Sequence, residues 1–157
     1  MYINFMFKSF FKNKINDELK KPFSMDDNLF TIACVLVEAA LVDNNFGNEE
    51  KNIIIKILQK QYKIKNIKDI NDILDNAIEA CKESSDLITY TKKIKQNWPI
   101  EKRIEVIEML WKVCLVDGVL EPYEDMLIRR VSGLIYVDDK NRNLAKKNAI
   151  KKLDNYK

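Results

Sequence analysis

The chain has 157 residues, 46% of them hydrophobic, and a formal charge of +3: enough apolar material for one sizeable core and too little length to demand a second. Histidine is absent, which excludes Ser-His-Asp and Cys-His catalytic sets, His-ligated haem and mixed-ligand zinc sites; three glycines and three prolines are too few turn residues for a sheet protein of this size. Residues 1–24 carry five Lys against Asp17 and Glu18, residues 138–157 carry seven bases against three acids, and the stretch between is net −4, so no dedicated nucleic-acid face is expected.

In chain order, Ile3, Met6, Phe7, Phe10 and Phe11 recur at three- and four-residue spacing with Asn4, Lys8 and Lys12 opposite, which predicts an amphipathic helix from Met1 to about Lys14. Residues 1–24 therefore read as a helical arm and linker. Phe7, Phe10 and Phe11, with Lys8 and Lys12, suit either packing on the bundle or docking on a protein partner or a membrane surface. Asn4 and Lys8 interrupt the apolar stretch that a cleaved signal peptide would need, and no apolar run reaches the roughly 18 residues of a membrane span.

Ser24 can cap a helix from Met25 to about Val42, whose broad apolar face includes Leu29, Ala33, Leu36, Val37 and Ala40. Asn48 can cap the next, carrying Ile53, Ile54, Ile57 and Leu58. Residues 67–82 place Ile70, Leu74, Ala77, Ile78 and Cys81 on one stripe, and Ser84 or Ser85 can start a helix containing Leu87, Ile88 and Ile94. Pro99 suits the first turn of a long helix through Ile107, Leu110, Trp111 and Cys114. Pro122, with Glu121 as cap, opens another through Leu127, Ile128 and Val131. After Asp138, a basic helix over about 139–153 shows Leu144, Ala145, Ala149, Ile150 and Leu153. The fold class is all-α, a bundle of about seven to eight helices. Cys34, Cys81 and Cys114 are odd in number and set among apolar or helix-forming residues, as reduced thiols of a cytoplasmic chain would be.

Shifted by 74 positions, the sequence aligns with itself: Leu41-Val42-Asp43 falls on Leu115-Val116-Asp117, and Glu50 on Glu124, Leu36 on Leu110, Ile54 on Ile128 and Tyr62 on Tyr136. The pattern is a long helix ending in Asp, a short loop, and a Glu in the first turn of the next helix, which predicts an internal pseudo-twofold helix-loop-helix repeat over 25–137. Glu50 and Glu124 sit where a helix N-terminus favours a carboxylate. Asp43 and Asp117 sit at helix C-termini, where the dipole disfavours an anion by roughly 0.3–1 kcal/mol. Two compensations are open: an Asx-type turn, or a hard cation of the Ca²⁺ or Mg²⁺ class held by Asp43, Glu50, Asp117 and Glu124 with loop oxygens. Because Ca²⁺ takes about 6–8 oxygens, one pair is too few, and both loops would have to converge or supply much water. Neither loop is an EF-hand, because the twelfth positions are Ile54 and Ile128.

Val35-Leu-Val-Glu-Ala-Ala-Leu-Val-Asp43 followed by Glu50, Ser85-Asp-Leu-Ile-Thr-Tyr-Thr91, and Leu110-Trp-Lys-Val-Cys-Leu-Val-Asp-Gly118 followed by Glu121, Glu124 and Leu127-Ile-Arg-Arg-Val131 resemble the tellurite-resistance TerB-like family over about 25–137. The resemblance implies an all-helical repeat fold with acidic residues suspected of metal binding, here Asp43, Glu50, Asp117 and Glu124 with Glu38 and Glu121 as adjuncts. It also implies a stress-response or membrane-linked system with no established catalysis. The chain is expected in the cytoplasm or peripherally at the inner membrane surface, with an unidentified protein partner. The first copy departs from the pattern, with Asp43-Asn44 where the second has Asp117-Gly118. No enzyme activity, organic cofactor or nucleic-acid partner is expected.

Overall fold

Short breaks divide the chain into helices, and the computed structural model describes residues 25–41, 46–83, 86–116 and 118–154. Among these residues there are seven helices and no strand: α1 (Met25–Leu41), α2 (Asn48–Tyr62), α3 (Ile67–Glu83), α4 (Leu87–Asn97), α5 (Ile100–Leu115), α6 (Pro122–Leu134) and α7 (Asp139–Leu153). The helix expected over residues 1–14 lies outside the described residues, as do Ser84 and Ser85. No helix among the described residues is long and apolar enough to cross a membrane.

The caps explain most of the boundaries. The Asp138 carboxylate accepts from Asn141 N at 2.8 Å to start α7, as its position suggested. Asp86 rather than a serine starts α4, its carboxylate accepting from Thr89 N at 3.3 Å. Gly47 rather than Asn48 is the cap of α2, because the bond that closes that end comes from its backbone. Pro122 is the first residue of α6, after Glu121, whereas Pro99 stands one residue before α5. At the far end of α6, Tyr136 takes a left-handed φ of 55° and Val137 N donates back to Ser132 O at 2.9 Å.

Two helices form the interior. In α1 every residue from 31 to 40 is buried, and in α5 every residue from 106 to 112 is, so neither has a solvent face in its central turns. They pack on each other. Around them, α3 and α4 lie against α1, α7 lies against α5, α2 touches α1, α3 and α5, and α6 touches α4 and α5. The ends of α1 and α5 (Leu41, Leu115) and the starts of α2 and α6 (Asn48, Pro122) keep the 74-residue offset, and the most extensive packings are α3 on α1 and α7 on α5.

The α7 face departs from the apolar stripe seen in the sequence. Ala145, Ala149 and Leu153 are buried, while Leu144 and Ile150 are 51% and 52% exposed. Small alanines let α7 approach α5 closely along a narrow strip, and residues flanking that strip on the outer side stay in water. Arg103 of α5 holds the end of α6, its Nη1 donating to Ile135 O at 2.9 Å and Tyr136 O at 3.4 Å. Trp98 Nε1 donates to Asn28 Oδ1 at 3.0 Å, tying the α4–α5 corner to α1.

Candidate functional site

Each helix pair, α1–α2 and α5–α6, is joined by a short loop with acidic residues on both sides. In the second loop Gly118 has φ +83°, and its N–H donates to Leu115 O at 2.9 Å, turning the chain out of α5. A Cβ there would meet nothing within 4 Å, so the demand for glycine comes from the backbone conformation alone. Asp43 and Asp117 lie outside the described residues.

Glu50 and Glu124 occupy the same position, the third residue of α2 and of α6. Each turns its carboxylate back over the first turn: Gly47 N donates to Glu50 Oε2 at 2.9 Å, and Glu121 N donates to Glu124 Oε1 at 3.2 Å. That is half of the reciprocal cap used at helix starts, and it satisfies a backbone donor while placing negative charge at the positive end of the dipole. Both carboxylates are thereby held facing the loops. Neighbouring charges are engaged elsewhere, Lys51 with Asp75 of α3 at 2.6 Å and Asp125 with Arg129 at 2.8 Å.

The two adjunct residues separate. Glu121 is exposed at the start of α6, and its backbone is what Glu124 caps. Glu38 is 9% exposed within α1, where its carboxylate acts on the Cys81 thiol of α3. Among the described residues no group of three or more acidic or thiol side chains is arranged to hold an ion. Asp43 and Asp117 are not among those residues.

Two polar clusters inside the bundle were not anticipated from the sequence. In the first, Cys81 Sγ lies 3.6 Å from Cys34 O, with Glu38 and Tyr90 alongside. The Cys34 thiol, burial and the Glu38 carboxylate all push the Cys81 thiol up, and burial followed by Cys34 does the same to the Tyr90 phenol. A thiol held protonated is a poor nucleophile and a poor metal ligand. Cys34, Cys81 and Cys114 are all buried thiols.

The second cluster joins α5 to α7: Glu108 Oε1 meets Lys152 Nζ at 2.6 Å and Lys112 Nζ at 3.5 Å. The Lys112 side chain is only 2% exposed. The signal for it was the i,i+4 pair Glu108/Lys112 inside an otherwise apolar run, which reads as a solvent edge unless the helix is buried all round. One turn away, Lys146 Nζ lies 4.8 Å from the Trp111 ring centroid, a second tie between the same helices.

The profile of the family described as tellurite resistance protein TerB matches residues 30–147. No curated protein and no solved structure matches the chain.

Proposed function

The chain belongs to the TerB family, and from that premise we propose that it is a non-enzymatic helical binding module whose two acidic loops hold a divalent cation of the Ca²⁺ or Mg²⁺ class. The observation that carries this reading is the matched placement of Glu50 and Glu124, both turned toward the loops that follow Asp43 and Asp117. Hard cations take oxygen ligands, and Asp43, Glu50, Asp117 and Glu124 supply them. The absence of histidine and the scarcity of glycine support a binding rather than a catalytic role. The module works in the cytoplasm, in a stress-response or membrane-associated system.

Thermal unfolding with and without Ca²⁺, Mg²⁺, Mn²⁺ and Zn²⁺ tests this. A site at about 100 times its Kd in free metal stabilises the fold by about 2.7 kcal/mol. Asp117→Asn with Glu124→Gln is the informative variant, because Gln keeps an oxygen for the Glu121 N–H while the charge is lost. A metal-dependent shift that disappears in this variant supports the site; no shift at millimolar metal, or one that survives the substitution, refutes it.

A second reading rests on those same two bonds. If capping is the whole role of Glu50 and Glu124, the protein is an interaction scaffold, and the arm carrying Phe7, Lys8, Phe10, Phe11 and Lys12 docks a partner or membrane surface. In that case Phe7→Ser with Phe10→Ser abolishes partner capture and metal leaves the melting curve unchanged.

A further inference from the structure

The six bases of α7 divide into two sets. Arg142 pairs with Asp139 at 2.7 Å, Lys152 with Glu108 at 2.6 Å, and Lys146 stacks over Trp111. Lys140, Lys147 and Lys151 are exposed, and none has an ion pair among the described residues. These three follow helical geometry, with Leu144 between them: positions 140, 144, 147 and 151 are spaced by four, three and four residues and share one face. Ile150 flanks that face beside Lys147. The stripe spans about 16 Å of helix at about 1.5 Å per residue, and two of its members, Ile150 and Lys151, lie beyond the family match.

We propose that the outer face of α7, formed by Lys140, Leu144, Lys147, Ile150 and Lys151, docks on an anionic phospholipid surface. The helix is already folded and fixed to α5 by Glu108–Lys152 and by Lys146 on Trp111, so binding carries little cost of ordering. Two features favour a bilayer over other polyanions. The bases are all lysines, whose long stems lie along an interface with the ammonium among headgroups. The aliphatic side chains between them are half exposed, and they gain from entering the headgroup boundary but would gain nothing from a phosphodiester backbone. Asp139 is the one acid within α7 and pairs with Arg142 at 2.7 Å, while Asp138 and Asp154 cap its two ends. None of these five residues belongs to the acidic loops or to residues 1–14.

Co-sedimentation of the full chain with phosphatidylcholine vesicles, with and without phosphatidylserine, tests the proposal. Each lysine near an anionic surface contributes roughly fivefold to partitioning, so Lys140→Gln, Lys147→Gln and Lys151→Gln together weaken binding roughly a hundredfold. Leu144→Ser with Ile150→Ser weakens it by about tenfold. All five positions are exposed, and unchanged helicity and melting temperature confirm that the fold is kept. Binding should require phosphatidylserine and fall as salt rises from about 0.15 M to about 1 M, where the screening length drops from about 8 to about 3 Å. The proposal is overturned by no binding to either vesicle, by equal binding to neutral ones, or by a triple-Gln variant that binds like the parent, which would place any affinity in residues 1–14. Tighter binding to polyglutamate or duplex DNA than to anionic vesicles also overturns it.

Discussion

Glu108→Gln changes one charge in the middle of α5 and leaves the Lys112 ammonium, on a side chain 2% exposed, facing a neutral amide. Removing one member of a buried ion pair costs about 3–5 kcal/mol. The lower end applies, because the Glu108 side chain keeps 11% exposure and Lys112 has a further interaction. The expected loss is therefore about 3 kcal/mol. For 157 residues, an unfolding entropy of about 2.1 cal/mol/K per residue turns that into a drop of about 9 °C in Tm. Lys152→Ala, on a side chain 54% exposed, costs only about 0.5–1 kcal/mol after solvent screening. Urea titrations of Glu108→Gln, Lys112→Met and the double variant measure the coupling, which should be about 2 kcal/mol, with the double less damaged than the sum of the singles. A single-variant loss below about 1 kcal/mol, or strictly additive losses, would refute a buried Glu108–Lys112 charge pair within α5.

Gly118→Ala should cost about 1–2 kcal/mol in urea unfolding, because φ +83° strains any L side chain even in open space; Gly118→Asn should cost less. Glu50→Ala and Glu124→Ala should each lose about 0.5–1 kcal/mol, and the Gln variants less, since an oxygen still accepts from Gly47 N or Glu121 N and only the charge at the dipole is lost. Folded-state values raised for Cys81, Tyr62 and Tyr90, mainly by the Cys34 thiol for the first and by burial for the tyrosines, place their stabilisation fully below the ordinary values of 9.0 and 10.0. It is lost as pH rises beyond them. The urea midpoint should fall above about pH 9, less steeply in Tyr62→Phe. In phenolate absorbance Tyr136, held down by a hydrogen bond from Lys95 and by that residue's charge, should ionise ahead of Tyr62 and Tyr90.

The bundle could be read from stripes because a helix that buries one side must repeat its apolar residues every three or four positions, as Ile70, Leu74, Ala77, Ile78 and Cys81 do in α3. Caps were harder wherever several capping residue types stand together. Ser84, Ser85 and Asp86 are all plausible by type, and only the bond from Thr89 N selects the aspartate. The stabilising role of Glu50 and Glu124 was visible from their place in the first helical turn, and the structure gives each the matching backbone donor. The interior charges were not visible. In a half-buried helix Glu38, Glu108 and Lys112 would mark the wet side, but α1 and α5 have no wet side there, and a one-dimensional pattern does not record how many neighbours a helix has. Leu144 and Ile150 failed in the opposite sense, apolar by type yet left outside by the narrow alanine strip of α7.

The contact between α1 and α5 joins the front of the chain to its back. Cut in the connection between α3 and α4, the polypeptide would yield two pieces, each with a greasy rod stripped of its counterpart and prone to precipitate alone. Produced together, such pieces should reassemble, because the surface each lacks is the one the other presents. A nick in that connection would therefore leave both halves dependent on each other for a folded core.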